Sequence, residues 1–225
     1  MAELFKERAR KKSFSEQLTR ELVAALGGTA EDLTSLLLGI KGTPVLYSEK
    51  GEYKDGDHAE IQCKGFDSGP LEQREKRLCK CLYYFNNNRT QNCDSCQFHD
   101  RYKLKGFSII DYEVPSFYYA PKIGEIDLVI KYENENYATE VKPYAGNEEP
   151  LIRMIAEIMT YTDGYEDKFK KAIGFFENSP QHDEYKALPA DSKLKELLDA
   201  AQITVFLFKR DTRKGELSIE VLLHH

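Results

Sequence analysis

No stretch of this 225-residue chain approaches the roughly 18 consecutive apolar residues that a bilayer-spanning helix requires, which argues against a helical membrane span. The first thirteen residues are charged and carry no apolar signal core, so a soluble, cytoplasmic protein without a membrane partner is expected. An excess of positive charge is also lacking. The formal net charge is -6, which argues against a protein that coats nucleic acid over its whole surface and leaves room for a locally basic face. Internal repeats and low-complexity tracts are absent. Cysteine is scarce, at five residues, and an odd number in a chain of this character does not suggest a disulfide framework.

What is present suffices for a real core: 41% of the residues are hydrophobic, enough for one domain with an elaboration or two small ones. Charge is unevenly spread. Residues 64–105 hold nine Lys and Arg against five acids, which makes this stretch +4 and the remainder -10. The terminal His224-His225 pair resembles the stub of an expression tag and is expected to carry no function.

Residues 13–40 read as two helices. Ser13 or Ser15 caps the first, Gly27-Gly28 ends it, and Leu33, Leu36, Leu37 and Ile40 form one face of the second. Residues 49–57 read as a solvated loop, and residues 70–86 as a helix with Pro70 in its first turn, broken by Asn86 to Asn88. Strand composition follows at 107–112 and 116–120, then at 126–132 and 137–142, which form a hairpin around Glu133 to Asn136. A helix over 148–161, a strand over 172–177, a helix over 192–201, an apolar strand over 203–208 and a last strand over 217–223 complete the chain. Such alternation, with one strand apolar throughout, predicts an α/β fold with a mixed sheet covered on both faces.

The hairpin carries the most chemistry. With a four-residue turn, Tyr132 pairs with Tyr137, Asp127 with Lys142 and Val129 with Glu140, so all three charged groups share one face. Alternating charges on a hairpin are ordinarily a solvated face with weak ion pairs. Here an α/β context follows, and two acids on β-forming strands are costly to bury unless a hard cation such as Mg²⁺ joins them. A metal so held polarises a phosphodiester and lowers the pKa of a bound water, while the lysine positions that water.

The run Gly124 to Ile130 with Asp127 at its centre, followed by Thr139-Glu140-Val141-Lys142, resembles the Asp and Glu-x-Lys signature of PD-(D/E)xK, or restriction-endonuclease-like, nucleases, with Ile126 standing where the motif has Pro. The resemblance implies that Asp127 and Glu140 bind Mg²⁺ or Mn²⁺, that the Val141 carbonyl joins them, and that Lys142 assists the attacking water. Glu157-x3-Tyr161 resembles the Gln-x3-Tyr element of RecB-type members, with Glu in place of Gln, and shares one helix face with Arg153. Glu113 resembles an acid that RecB-type members carry at the start of the sheet, which implies a supporting role at the metal.

Cys79, Cys81, Cys93 and Cys96 offer four soft ligands within one short segment. A structural Zn²⁺ site is expected, with a [4Fe–4S] cluster as the alternative. Cys63 reads as a plain thiol, although with His58 or His99 it could replace one ligand. The expected organisation is a helical segment over 1–57, a cysteine-bound metal module over 58–105 and a restriction-endonuclease-like core over 106–225. The expected activity is metal-dependent hydrolysis of DNA phosphodiesters, of a restriction or repair type. RNA stays open as a substrate, as does a homodimer that cuts both strands. The alternatives are a catalytically inactive, zinc-containing nucleic-acid-binding module and a protein-interaction module.

Overall fold

The computed structural model describes residues 20–25, 74–87, 102–115, 125–142, 150–162 and 167–225. The expected helix over 29–40, the loop over 49–57, the strand over 116–120, and Cys63, Cys93, Cys96, His58 and His99 lie outside the described residues.

One mixed sheet organises the described chain. Its strands are β1 (Lys103–Lys105), β2 (Ser108–Pro115), β3 (Glu125–Tyr132), β4 (Glu135–Lys142), β5 (Lys170–Phe176), β6 (Ile203–Asp211) and β7 (Glu216–Leu223), in the order β1-β7-β6-β5-β4-β3-β2. β2, β3 and β4 form an antiparallel meander, and β4, β5 and β6 run parallel. β7 returns antiparallel to β6 and pairs in parallel with β1. The parallel strands are the most apolar: Ala172 to Phe176 and Ile203 to Phe208 are all buried, as expected of strands covered on both faces.

Helices cover the two faces. α1 (Arg74–Asn86) lays Leu78, Cys79, Leu82 and Tyr83 against Ile109, Tyr112, Leu128, Ile130 and Val141. α2 (Leu151–Tyr161) and α4 (Lys193–Ala200) cover the opposite face, where Leu151, Ile155, Ile158, Leu194 and Leu197 meet Val129, Ala138, Ile173, Val205 and Leu207. α3 (Pro180–Ala187) adds Tyr185 to that side. A helical segment at 20–25 contributes Leu22 to the same cluster.

Local chemistry sets the ends of these helices. Asn86 and Asn87 donate through Nδ2 to the Leu82 and Tyr83 carbonyls at 2.8 Å, taking up acceptors that a helix terminus leaves open. Ser192 caps α4 by accepting from the Lys195 N–H, and Ser179 caps α3 by accepting from the His182 N–H. Pro150 occupies the cap position of α2, and the Leu151 N–H donates to Glu184 Oε2 at 2.8 Å.

Two elements were not foreseen: β1 and α3. The hairpin also differs. Tyr132 pairs with Glu135 and Ile130 with Tyr137, so the turn holds two residues, Glu133 and Asn134, and not four. Both have positive φ, at 47° and 67°, the backbone of a tight turn whose twist matches the flanking strands. The pairing therefore moves by two residues. Because side chains alternate with a period of two, an even displacement leaves every side chain on its expected face.

Candidate metal centre

Continuing the register one pair beyond Leu128↔Thr139 sets Asp127 opposite Glu140. Asp127 Oδ2 accepts from the Val141 N–H at 2.8 Å, so the β4 backbone fixes that carboxylate. Lys142 follows Glu140 on the same face, and its Nζ donates to Glu140 Oε1 at 2.6 Å. The structure thus brings Asp127, Glu140 and Lys142 together, with Val141 between the two β4 side chains.

Helix residues complete the cluster from both sides of the sheet. Glu75, in the first turn of α1, accepts from Lys142 Nζ at 3.3 Å, and single carboxylate oxygens of Glu75, Asp127 and Glu140 lie within 4.8 Å of one another. From α2, Glu157 places Oε2 3.4 Å from Lys142 Nζ. Its Oε1 accepts from Arg153 Nε at 2.8 Å and from the Tyr161 hydroxyl at 3.5 Å, so the three side chains that share one helix face do meet.

Glu113 is placed differently. It sits in β2 with φ at 47°, and it forms ion pairs with Lys76 (3.7 Å) and Lys80 (3.5 Å) of α1. It is outside the group of three carboxylates.

Cys79 and Cys81 are both buried in α1 and neither is in a disulfide. At about 100° per residue, two positions apart on a helix is about 200° around it, so the two thiols leave on nearly opposite sides. Cys79 belongs to the apolar cluster against the sheet. Its thiol is pushed well up by burial and further by the carboxylates of Asp127, Glu75, Glu113 and Glu140.

The electrostatics favour a cation. Glu140 is 2% exposed and Lys142 3% exposed, so these charges have little access to water. Burial holds the Asp127 carboxyl well above the ordinary range, reinforced by Glu75, and holds Glu140 up likewise, reinforced by Asp127. Burial opposes the charge on Lys142, but Glu140, Asp127, Glu75 and Glu157 outweigh it and raise the ammonium. Glu157 is lowered: burial works against its ionisation, and the Lys142 charge, a hydrogen bond shared with Glu140 and the Arg153 guanidinium overcome that.

With all four carboxylates ionised, Lys142 and Arg153 leave the cluster at -2. Glu140 Oε2 is buried and accepts no hydrogen bond. An oxygen in that state is costly without a donor or a cation. Oxygen donors, a deficit of two charges and an open buried acceptor fit one hard divalent ion held by Glu75, Asp127 and Glu140.

Glu75 was not singled out in the sequence, where it stands inside a charged run. The signal was its place on the helix: it precedes Leu78 and Cys79 by three and four positions, on the stripe that α1 buries. An acid on an apolar stripe is the exception that marks it.

No protein-family model matches the chain, and no curated protein matches it significantly. Among solved structures, Pyrococcus furiosus SfsA, determined in complex with Ca²⁺, is similar at 18% identity with a TM-score of 0.28. That similarity covers 53% of this chain and 55% of SfsA, so the chain spans about half the length of that protein.

Proposed function

We propose that this chain is a metal-dependent nuclease of the PD-(D/E)xK type, hydrolysing DNA phosphodiesters with Mg²⁺ or Mn²⁺ in restriction or repair. The observation that carries the reading is the convergence of half-buried Glu75 and Asp127 on buried Glu140, with Lys142 Nζ 2.6 Å from Glu140. A lysine kept charged beside carboxylates that converge within 4.8 Å has the chemistry of a phosphoryl-transfer site.

Each residue has a part to play. Glu75, Asp127 and Glu140 would hold the ion, with the Val141 carbonyl offering a further oxygen donor. When bound, the ion supplies Lewis acidity toward the phosphodiester and toward water. The Val141 N–H fixes the orientation of Asp127. Lys142 orients the attacking water and offsets negative charge on phosphorus. Glu157, with Arg153 and Tyr161 behind it, sets the position of the ammonium. We take the catalytic unit to reach back to α1, because Glu75 comes from it. A single Zn²⁺ or [4Fe–4S] site on Cys79, Cys81, Cys93 and Cys96 is not carried into this reading, because Cys79 and Cys81 leave α1 on nearly opposite sides and Cys79 packs against the sheet.

The test is cleavage of circular and linear DNA with Mg²⁺ or Mn²⁺ by wild type, Asp127→Ala and Lys142→Ala, each first shown to be folded. Metal-dependent cleavage that drops about 10²- to 10⁴-fold in both variants is expected, the range set by positioned acid–base and electrostatic groups. Attack on circular DNA assigns an endonuclease. DNA affinity with no cleavage under either metal turns the assignment to an inactive binding module.

A further inference from the structure

Lys142 Nζ stands on two carboxylates that a divalent ion would also use, 2.6 Å from Glu140 Oε1 and 3.3 Å from Glu75 Oε2. A third carboxylate is close: Glu157 Oε2, at 3.4 Å. The two oxygens of Glu157 differ. Oε1 is held by Arg153, through Nε and Nη2 at 2.8 Å each, and by the Tyr161 hydroxyl. Oε2 is buried, faces Lys142 and accepts no hydrogen bond. A rigid guanidinium fork therefore holds an open acceptor toward the lysine.

We propose that Arg153 and Glu157 form a receiving seat for Lys142: without metal the ammonium occupies the cation position at Glu140 and Glu75, and on metal binding it passes to Glu157 Oε2. The proposal rests on the metal-site reading of Glu75, Asp127 and Glu140. An ammonium and a divalent ion on the same two carboxylates repel each other strongly in a site this dry. Lys142 is buried and cannot simply retreat into water, so it needs another anion within reach. Closing 3.4 Å to the ~2.8 Å of a charge-assisted hydrogen bond is a small movement of a flexible side chain. Lys142, Glu157 and Arg153 keep their charges in the exchange. Arg153 is a positioning residue, acting on the lysine through Glu157.

Calorimetric titration of Mn²⁺ into wild type, Lys142→Met, Glu157→Gln and the double variant tests the exchange, with circular dichroism confirming the fold of each. Removing the competitor in Lys142→Met should tighten Mn²⁺ binding about tenfold, and removing the seat in Glu157→Gln should weaken it about tenfold, the size of one strongly coupled contact. In the Lys142→Met background, Glu157→Gln should have no more than about a twofold effect, because no lysine remains to be seated. Arg153→Gln repeats the comparison without altering the carboxylate, and covers the case in which Glu157→Gln does not fold. Equal losses in both backgrounds would overturn the exchange, since Glu157 would then act on the ion as a plain negative charge, while the metal site itself would stand. If wild type takes up no Mn²⁺, the metal-site reading and the exchange fall together.

Discussion

Asp127 shows what the site costs the metal-free protein. Its carboxylate is half-buried, faces Glu75 and Glu140, and gains one backbone hydrogen bond from Val141 in return. Replacing it by the isosteric amide removes like-charge repulsion and keeps an acceptor for the Val141 N–H. Asp127→Asn should therefore raise the melting temperature in chelator by about 2–4 °C, the shift that ~1 kcal/mol produces in a domain of this size. The same variant should lose the upward shift that Mn²⁺ gives wild type. Scanning calorimetry with and without metal checks both parts, and a lower melting temperature in chelator would show that the Val141 hydrogen bond depends on the full negative charge. Asp127, Glu140 and Lys142 were legible in the sequence because a hairpin joins them, so strand alternation alone puts them on one face. Glu75 was not, because it arrives from a helix 67 positions before Lys142 and no local period links the two. Glu113, expected as a supporting acid, has positive φ within a strand, and its side chain goes to Lys76 and Lys80 on α1 and not into the group of three carboxylates.

Among the elements, the hairpin shows which features of a strand pair a sequence encodes strongly. Alternation of buried and exposed residues fixes the parity of the register, and the observed pairing keeps the expected parity with a turn two residues shorter. Glu133 and Asn134 lack the glycine that normally announces a two-residue turn, yet both adopt positive φ. α3 was invisible for a different reason. Among its eight residues only Gln181 is fully buried, so it has no apolar stripe, and its sole cue was Ser179-Pro180 as cap and first-turn proline. β5 offers the sharpest test of packing next to the site. Gly174 pairs with Val141 on one side and Phe206 on the other, and a Cβ added to it would overlap the Phe208 ring, with Cζ and Cδ2 at 3.2 and 3.3 Å. Phe208 stacks on Phe176 with centroids 5.1 Å apart and is fully buried, so it has little room to yield. Gly174→Ala should cost about 1–3 kcal/mol, read as a lower denaturant midpoint at unchanged slope. An unchanged midpoint would show that the ring moves at no cost.

At the scale of the whole molecule, the sheet separates two helical layers, and the cluster lies where both reach the same strands: Glu75 from α1 on one face and Glu157 from α2 on the other. Lys142 ends β4 beside parallel β5, at the carboxyl end where sheets of this kind tend to place their ligands. The sheet also guards its margins. β1 is three residues long with Lys103 and Lys105 exposed, and β2 carries an irregularity between Ile109 and Asp111 and ends at Pro115, features that discourage edge-to-edge association. Because the cluster is buried within this frame, its protonation is coupled to the stability of the fold. Asp127 and Glu140 have raised values when folded, so the metal-free native state holds protons that the unfolded chain has already lost; their contribution to stability falls as pH rises from the ordinary carboxylate range through the raised values. Glu157 has the opposite sign, its contribution being lost as pH falls, but it is one group against two. A divalent ion needs Asp127 and Glu140 ionised and must displace whatever protons they retain. Mn²⁺ affinity should therefore rise with pH above the ordinary carboxylate range, by up to about tenfold per unit for each proton released. Titrations at about pH 6 in two buffers of different ionisation enthalpy would count those protons directly, with fewer released by Asp127→Asn. Affinity that stays level above that range would mean that the carboxylates are already ionised in the empty site, their charge carried by Lys142 and Arg153 alone.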